Sequence, residues 1–356
     1  MKKIMSIFLF FALIFVLSCK KDTIVNYKEY GWNLQTTNTN LDLISLSFID
    51  SLNGWAVGGY NDPVDSSVNK GEVYFTNDAG KTWQTISTSN NDYYFSVFFL
   101  NKNKGWVCGA KSRISTTVDG GKTWKVQYDT QGEAFQSIRF ADDLHGWVCD
   151  LSGNIYYSSD GGESWIKQEY IEKDHLLIIK TLSKDIAYVI GGHQELIVDS
   201  QGRFISYKDV GKIYKTSDGG MNWSNIVLDS SIQELSYYKC AHFIDENNGW
   251  ACGSNGVIIS TTNSGKNWKI QNSGYRYTLN SIYFSDKDHG WACGSPLNNI
   301  ATILTTTDGG NTWVNQTSPS NDRNLLCLEF ANNKKGWCCG NDGTMLVTEN
   351  GGLDIK

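Results

Sequence analysis

The sequence predicts an all-β fold: a seven-bladed β-propeller of four-stranded antiparallel blades, closed by an N-terminal strand that completes the last blade. Three observations carry this expectation. Two short patterns alternate from Tyr30 to the C-terminus, β-branched segments lie between them, and the two chain ends complement each other. A repeat overrides the two-domain organisation that 356 residues would otherwise suggest, because each copy is one supersecondary unit that needs neighbours to bury its apolar face.

The first pattern is Gly-Trp followed by small apolar residues: Gly54-Trp55, Gly105-Trp106, Gly146-Trp147, Gly249-Trp250, Gly290-Trp291 and Gly336-Trp337, with Ala187-Tyr188 as a degenerate seventh copy. The second is a box, Thr/Ser-x-Asp-x-Gly-x-x-Trp, as in Thr76 to Trp83, recurring to end at Trp124, Trp165, Trp223, Trp268 and Trp313. Segments such as Arg113-Ile114-Ser115-Thr116-Thr117 lead from one to the other and read as strands entering a hairpin. At that hairpin the aspartate accepts hydrogen bonds from turn N–H groups and glycine takes a positive φ. The box residues Asp78, Asp119, Asp160, Asp218, Asn263, Asp308 and Asn350 are therefore expected to be structural. Asparagine in two copies keeps the acceptor and drops the charge.

Every tryptophan but Trp32 belongs to these columns. The final box, from Thr348, ends without a tryptophan, while Trp32 and Gln35 repeat the spacing of Trp313 and Gln316. The N-terminus is thus expected to supply the missing outer strand, which removes an open sheet edge.

The box resembles the Asp-box, or BNR, repeat of sialidases, sortilin-type receptors and the photosystem II assembly and stability factor family. Combined with Gly-Trp, it most resembles the last of these. The resemblance implies a propeller acting as a non-enzymatic interaction or assembly scaffold. A glycan-binding or sialidase-like propeller is the alternative. Sialidases, however, use an arginine triad to clamp a carboxylate, and this chain has only Arg113, Arg139, Arg203, Arg276 and Arg323.

Lys2 and Lys3 precede an almost unbroken apolar run from Ile4 to Val16, which is too short to span a bilayer and reads as a secretory signal. Leu17-Ser18-Cys19 then resembles a bacterial lipobox. The expected organisation is a signal at 1–18, a lipidated Cys19 and tether at 19–29, and one propeller at 30–356. Lys20 after Cys19, in the lipoprotein sorting pattern this resembles, implies the outer membrane, on its periplasmic or cell-surface side. A net charge of -6 argues against a nucleic-acid partner. No cofactor or metal is expected: the cysteines read as small buried hydrophobes, and no Cys-x-x-Cys or His pair accompanies Cys338-Cys339.

With strands named A to D outward from the axis, the boxes are C–D turns, and the opposite face carries the loops that vary. Two insertions fall in B–C connections there, Tyr60 to Lys70 and His193 to Val210. D–A loops contribute Tyr93, Tyr94, Glu133, Phe135, Tyr237, Tyr238, Tyr275, Arg276, Tyr277 and Arg323, a composition suited to recognition. On strand A, the column eight residues before each Gly-Trp tryptophan holds Ser47, Phe98, Arg139, Lys180, His242, Tyr283 and Glu329, while its neighbours hold to one chemistry. That column is expected to face the central channel, where Arg139, Lys180, His242, Tyr283 and Glu329 would form a polar ring for an anionic or sugar group of a protein or glycan partner.

Overall fold

The computed structural model describes residues 31–60, 70–86, 92–171, 174–320 and 322–353. The signal, Cys19 and the tether lie outside the described residues, as does most of the Tyr60–Lys70 insertion. Seven four-stranded sheets surround an axis. Six run A to D in chain order. In the seventh, Leu325–Phe330, Gly336–Gly340 and Met345–Thr348 are completed on the outside by Asn33–Leu34, with Asn33 opposite Val347 and Leu34 opposite Leu346.

Closure uses the same chemistry as every other blade junction. In a regular blade the box tryptophan sits edge-on to the strand A phenylalanine, as Trp313 does to Phe284 at 5.9 Å and 87°. Trp32 meets Phe330 in the same way, at 5.8 Å and 87°, and is fully buried. Its Nε1 donates to Gln316 Oε1 at 2.8 Å, tying the first strand to blade 6.

Adjacent blades are fastened by the strand B tryptophans. Trp55 stacks on Phe99 of the next blade at 3.6 Å and donates from Nε1 to the box carbonyl of Gly120 at 3.1 Å. Trp337 does both across the closure, stacking on Phe48 at 3.5 Å and donating to Ala79 O at 2.9 Å. Each such pair combines large apolar burial with a satisfied indole N–H, and stacking adds about 0.5–1.5 kcal/mol beyond area. The glycine before the tryptophan follows from this packing: a Cβ on Gly54 would lie 2.3 Å from the Phe48 ring. Blade 4 departs in a correlated way, with Ala187 in place of glycine and Thr181 in place of phenylalanine.

The box turns donate to the A–B turns of their own blade, as Ala79 N–H does to Leu52 O at 3.0 Å and Gly309 N–H to Asp288 O at 2.9 Å. Both turn types therefore share one face. Strand A carries a register shift in all seven blades, between Leu43 and Ser45 in blade 1 and between Tyr238 and Cys240 in blade 5. Such a bulge inserts one residue and breaks the alternation of period two. In blade 4, strands Ala187–Val198 and Phe204–Thr216 extend beyond the sheet as a projecting hairpin, so the second insertion is strand rather than loop.

Candidate functional site

A central cavity of 450 Å³ is lined by the innermost strands of all seven blades. The mixed column seen in the sequence, from Ser47 to Glu329, lines it completely. The bulged residues form a second ring, which includes Gln136, Lys239 and Asn280. Sequence reasoning missed this ring because strict alternation turns it away from the axis. Its chemistry is just as mixed, and that signal would have found it.

The polar ring lies toward the box-face end of strand A, since each member is the penultimate residue of its strand or, in blade 4, Lys180 before Thr181. Arg139 is held in place: its guanidinium donates to Ile138 O at 2.7 Å and Ser96 Oγ at 3.1 Å, and lies over the Phe98 ring at 5.7 Å. Tyr283 donates to Phe330 O at 2.7 Å, and burial raises its hydroxyl above its ordinary value. His242 Nδ1 accepts from Phe284 N–H at 3.3 Å. Burial, with Lys180 nearby, pushes its pKa down to about 3, so the ring is neutral at physiological pH. The Lys180 side chain has no ion pair or hydrogen bond among the described residues.

Among the described residues Glu329 is the sole carboxyl lining this cavity. Its Oε2 is buried with no hydrogen-bond partner among the described residues, and burial, reinforced by Cys327, pushes its pKa up to about 8. Three basic side chains, Arg139, Lys180 and Lys239, thus face a carboxyl that keeps its proton at neutral pH. In a chain of net charge -6, the channel is a local cationic site.

The loop residues do not join this ring. Tyr275, Arg276, Tyr277 and Arg323 lie outside the cavity lining. Tyr275 donates to Ser295 O and accepts from Thr302 Oγ1 at 3.1 Å, Arg276 lies over Tyr277 at 5.5 Å, and Arg323 pairs with Asp342. The recognition surface is also smaller than expected from the sequence, because Tyr94, Phe135 and Tyr238 open strand A and are buried between their own blade and the preceding one. Arg113 is committed to Asp92 and Asp129, and Arg203 to Asp199 at 2.7 Å. Only Arg139 of the five arginines reaches the channel, so no arginine triad forms there.

The box residues bond within their turns. Thr76 Oγ1 donates to Asp78 Oδ1 at 2.8 Å, Thr82 N–H donates to the same oxygen at 2.9 Å, and Gly80 N–H donates to Thr76 Oγ1 at 2.9 Å. The pattern recurs at Asp119, Asp160, Asp218 and Asp308. Asn263 and Asn350 accept from Thr261 and Thr348 in the same way. Donors from Thr123 hold Asp119 at about 2 and donors from Thr312 hold Asp308 at about 2. A further polar cluster lies beside the blade 4 hairpin, where buried Asp174 accepts from Tyr214 and pairs with His193. Among the described residues no group of His, Cys, Asp and Glu is arranged to hold a metal ion.

The family model described as photosynthesis system II assembly factor YCF48 matches residues 23–127, 75–236, 232–316 and 271–356. A solved YCF48 bound to D1 peptide superposes with a TM-score of 0.66 at 19% identity, covering 89% of this chain and 96% of that one. YCF48 from Cyanidioschyzon merolae gives 0.66 at 19% identity, with 89% and 98% covered. The WD40 propeller domain of Doa1 gives 0.65 at 11% identity, with 90% and 97% covered, and shares the fold alone. No curated protein sequence matches the chain. With repeats matched from residue 23 to residue 356, the chain belongs to the photosynthesis system II assembly factor YCF48 family.

Proposed function

We propose that this protein is a non-catalytic interaction propeller that captures a carboxylate-bearing peptide segment of a partner protein in its central channel. It would work at the outer membrane, held there by a lipid on Cys19. One observation carries the reading: Arg139, Lys180 and Lys239 line the cavity with a single carboxyl among the described residues, and burial pushes that carboxyl's pKa up to about 8. A half-buried cation without a counter-ion favours an anionic guest, and a charge-assisted hydrogen bond contributes about 1.5–3 kcal/mol. The YCF48 solved with a D1 peptide supports a peptide as the class of guest. The sialidase-like alternative loses support because its carboxylate clamp needs three convergent arginines.

The test is fluorescence anisotropy with a labelled synthetic peptide carrying an acidic C-terminus, compared with its C-terminal amide. The acid should bind about tenfold or more tightly, and Lys180→Gln should remove most of that preference. Affinity should fall as pH rises through about 8, because ionised Glu329 then places a negative charge beside the bound carboxylate. Glu329→Gln should flatten that pH dependence. Equal binding of acid and amide, or wild-type affinity in Lys180→Gln, would overturn the channel as the site.

A further inference from the structure

Two of the blades carry a cysteine on strand A directly opposite a cysteine on strand B: Cys240 opposite Cys252 in blade 5, and Cys327 opposite Cys339 in blade 7. The same positions hold Ser45 and Val57, Ser96 and Cys108, Ser137 and Cys149, Ile178 and Ile190, and Ser281 and Cys293 in the others. Directly opposed residues of an antiparallel pair have Cα atoms about 4.5–5.5 Å apart, inside the range of about 4.4–6.8 Å that a disulfide spans. Both pairs are free thiols here.

The two pairs differ in access. Both strand A cysteines line the channel, but Cys240 is only 6% exposed whereas Cys327 is half-buried. Cys339 lies buried behind it, with its Sγ–H directed at Leu43 O at 3.2 Å. Contact with the Cys339 side chain lowers the Cys327 thiol to about 7, and Lys180 and Arg139 across the channel pull in the same direction while burial opposes. A thiol beside cations that also has a second sulfur behind it meets the conditions for site-selective oxidation.

We propose that Cys327 and Cys339 are a redox-active dithiol, oxidised by hydrogen peroxide that enters through the channel. The Cys327 thiolate attacks one peroxide oxygen and the O–O bond breaks. Hydroxide leaves and takes up a proton as water, which leaves a sulfenic acid on Cys327. The Cys339 sulfur then attacks Cys327 Sγ, the S–O bond breaks, and a second water departs with the Cys339 proton. The product is a cross-strand disulfide, two thiols having been oxidised and one hydrogen peroxide reduced. The disulfide joins adjacent strands of blade 7, the blade that closes the ring.

The test treats the reduced full chain with stoichiometric hydrogen peroxide, alkylates the remaining thiols and maps the peptides by mass spectrometry. The expected result is a linked Cys327–Cys339 peptide, with Cys108 and Cys149 still alkylated. Cys327→Ser should abolish the link. Serine occupies this position in four other blades, so the variant is expected to fold. Cys339→Val, which places the strand B residue of blade 1 at this position, should leave a Cys327 sulfenic acid that dimedone traps. Oxidation confined to Cys240 and Cys252, or both blade 7 thiols remaining alkylatable after peroxide, would overturn the proposal.

Discussion

Blade 4 and the six regular blades solve the same packing problem with different parts. A regular junction uses a phenylalanine on strand A, a glycine that leaves room for its ring, and a tryptophan of the preceding blade stacked on that ring. At the junction of blades 3 and 4 the phenylalanine is Thr181 and the glycine is Ala187. Trp147 therefore has no ring of blade 4 to stack on, and packs against Tyr157 of its own blade at 5.0 Å. Nor does its Nε1 donate to the box carbonyl: it donates to Gln168 Oε1 at 3.2 Å, and Gln168 Nε2 passes the bond on to Gly219 O at 2.9 Å. Two columns change together because they share one contact. A glycine without its phenylalanine would leave a void, and an alanine beneath a phenylalanine would clash.

The largest expected effect compares the two junction types directly. Trp250→Ala removes a ring stacked on Phe284 at 3.7 Å and a donor to Gly309 O at 3.2 Å, and should cost about 3–5 kcal/mol. Trp147→Ala should cost about 1 kcal/mol less, because no interblade stack is lost. Urea titration of both variants reads the difference. A larger loss at Trp147 would show that blade 4 is fastened by contacts other than these.

A second, smaller effect tests the coupling of the columns. Thr181→Phe alone drives a ring onto the Ala187 Cβ and should destabilise by about 1–3 kcal/mol, as overpacking does. Adding Ala187→Gly should recover most of that loss, since it recreates the regular pair. Strict additivity in the double-mutant cycle would sink the idea that glycine is there for the ring.

The ring of blades was legible in the sequence because its contacts repeat: six copies of a column state the chemistry of a junction more plainly than one. Trp32 was placed by spacing alone, and the structure puts it against Phe330 as the missing box tryptophan. The channel was half legible. The column from Ser47 to Glu329 stood out by its variety, but Lys239 and Gln136 reach the axis only because strand A bulges, and a bulge leaves no mark in an alternating pattern. Aromatics at the D–A junctions were misplaced for a related reason: Tyr94, Phe135 and Tyr238 fall where loop becomes strand, and a one-residue change of boundary moves a side chain from solvent to core. The cluster of Asp174, His193 and Tyr214 was invisible because it occurs once, on the blade that departs from the repeat.

The smallest effect concerns the residue that replaces the strand B tryptophan. Tyr188 keeps the stack, lying 3.9 Å from Phe243 at 13°, yet its hydroxyl is buried with no partner among the described residues. In regular blades the indole N–H is satisfied at this place by the next box, as Trp291 Nε1 is by Gly351 O at 2.9 Å. Tyrosine thus supplies the ring but leaves a polar atom desolvated, which costs about 1–3 kcal/mol when nothing bonds to it. Tyr188→Phe preserves the stack and deletes the unpartnered oxygen, so its melting temperature should match or exceed that of the parent. The same change at a regular junction, Trp250→Phe, should lower it, since a bonded donor and part of a well-packed ring are lost together. A clear fall in Tyr188→Phe would mean that the hydroxyl is hydrogen-bonded in solution, and that blade 4 holds blade 5 by a polar contact as the other blades do.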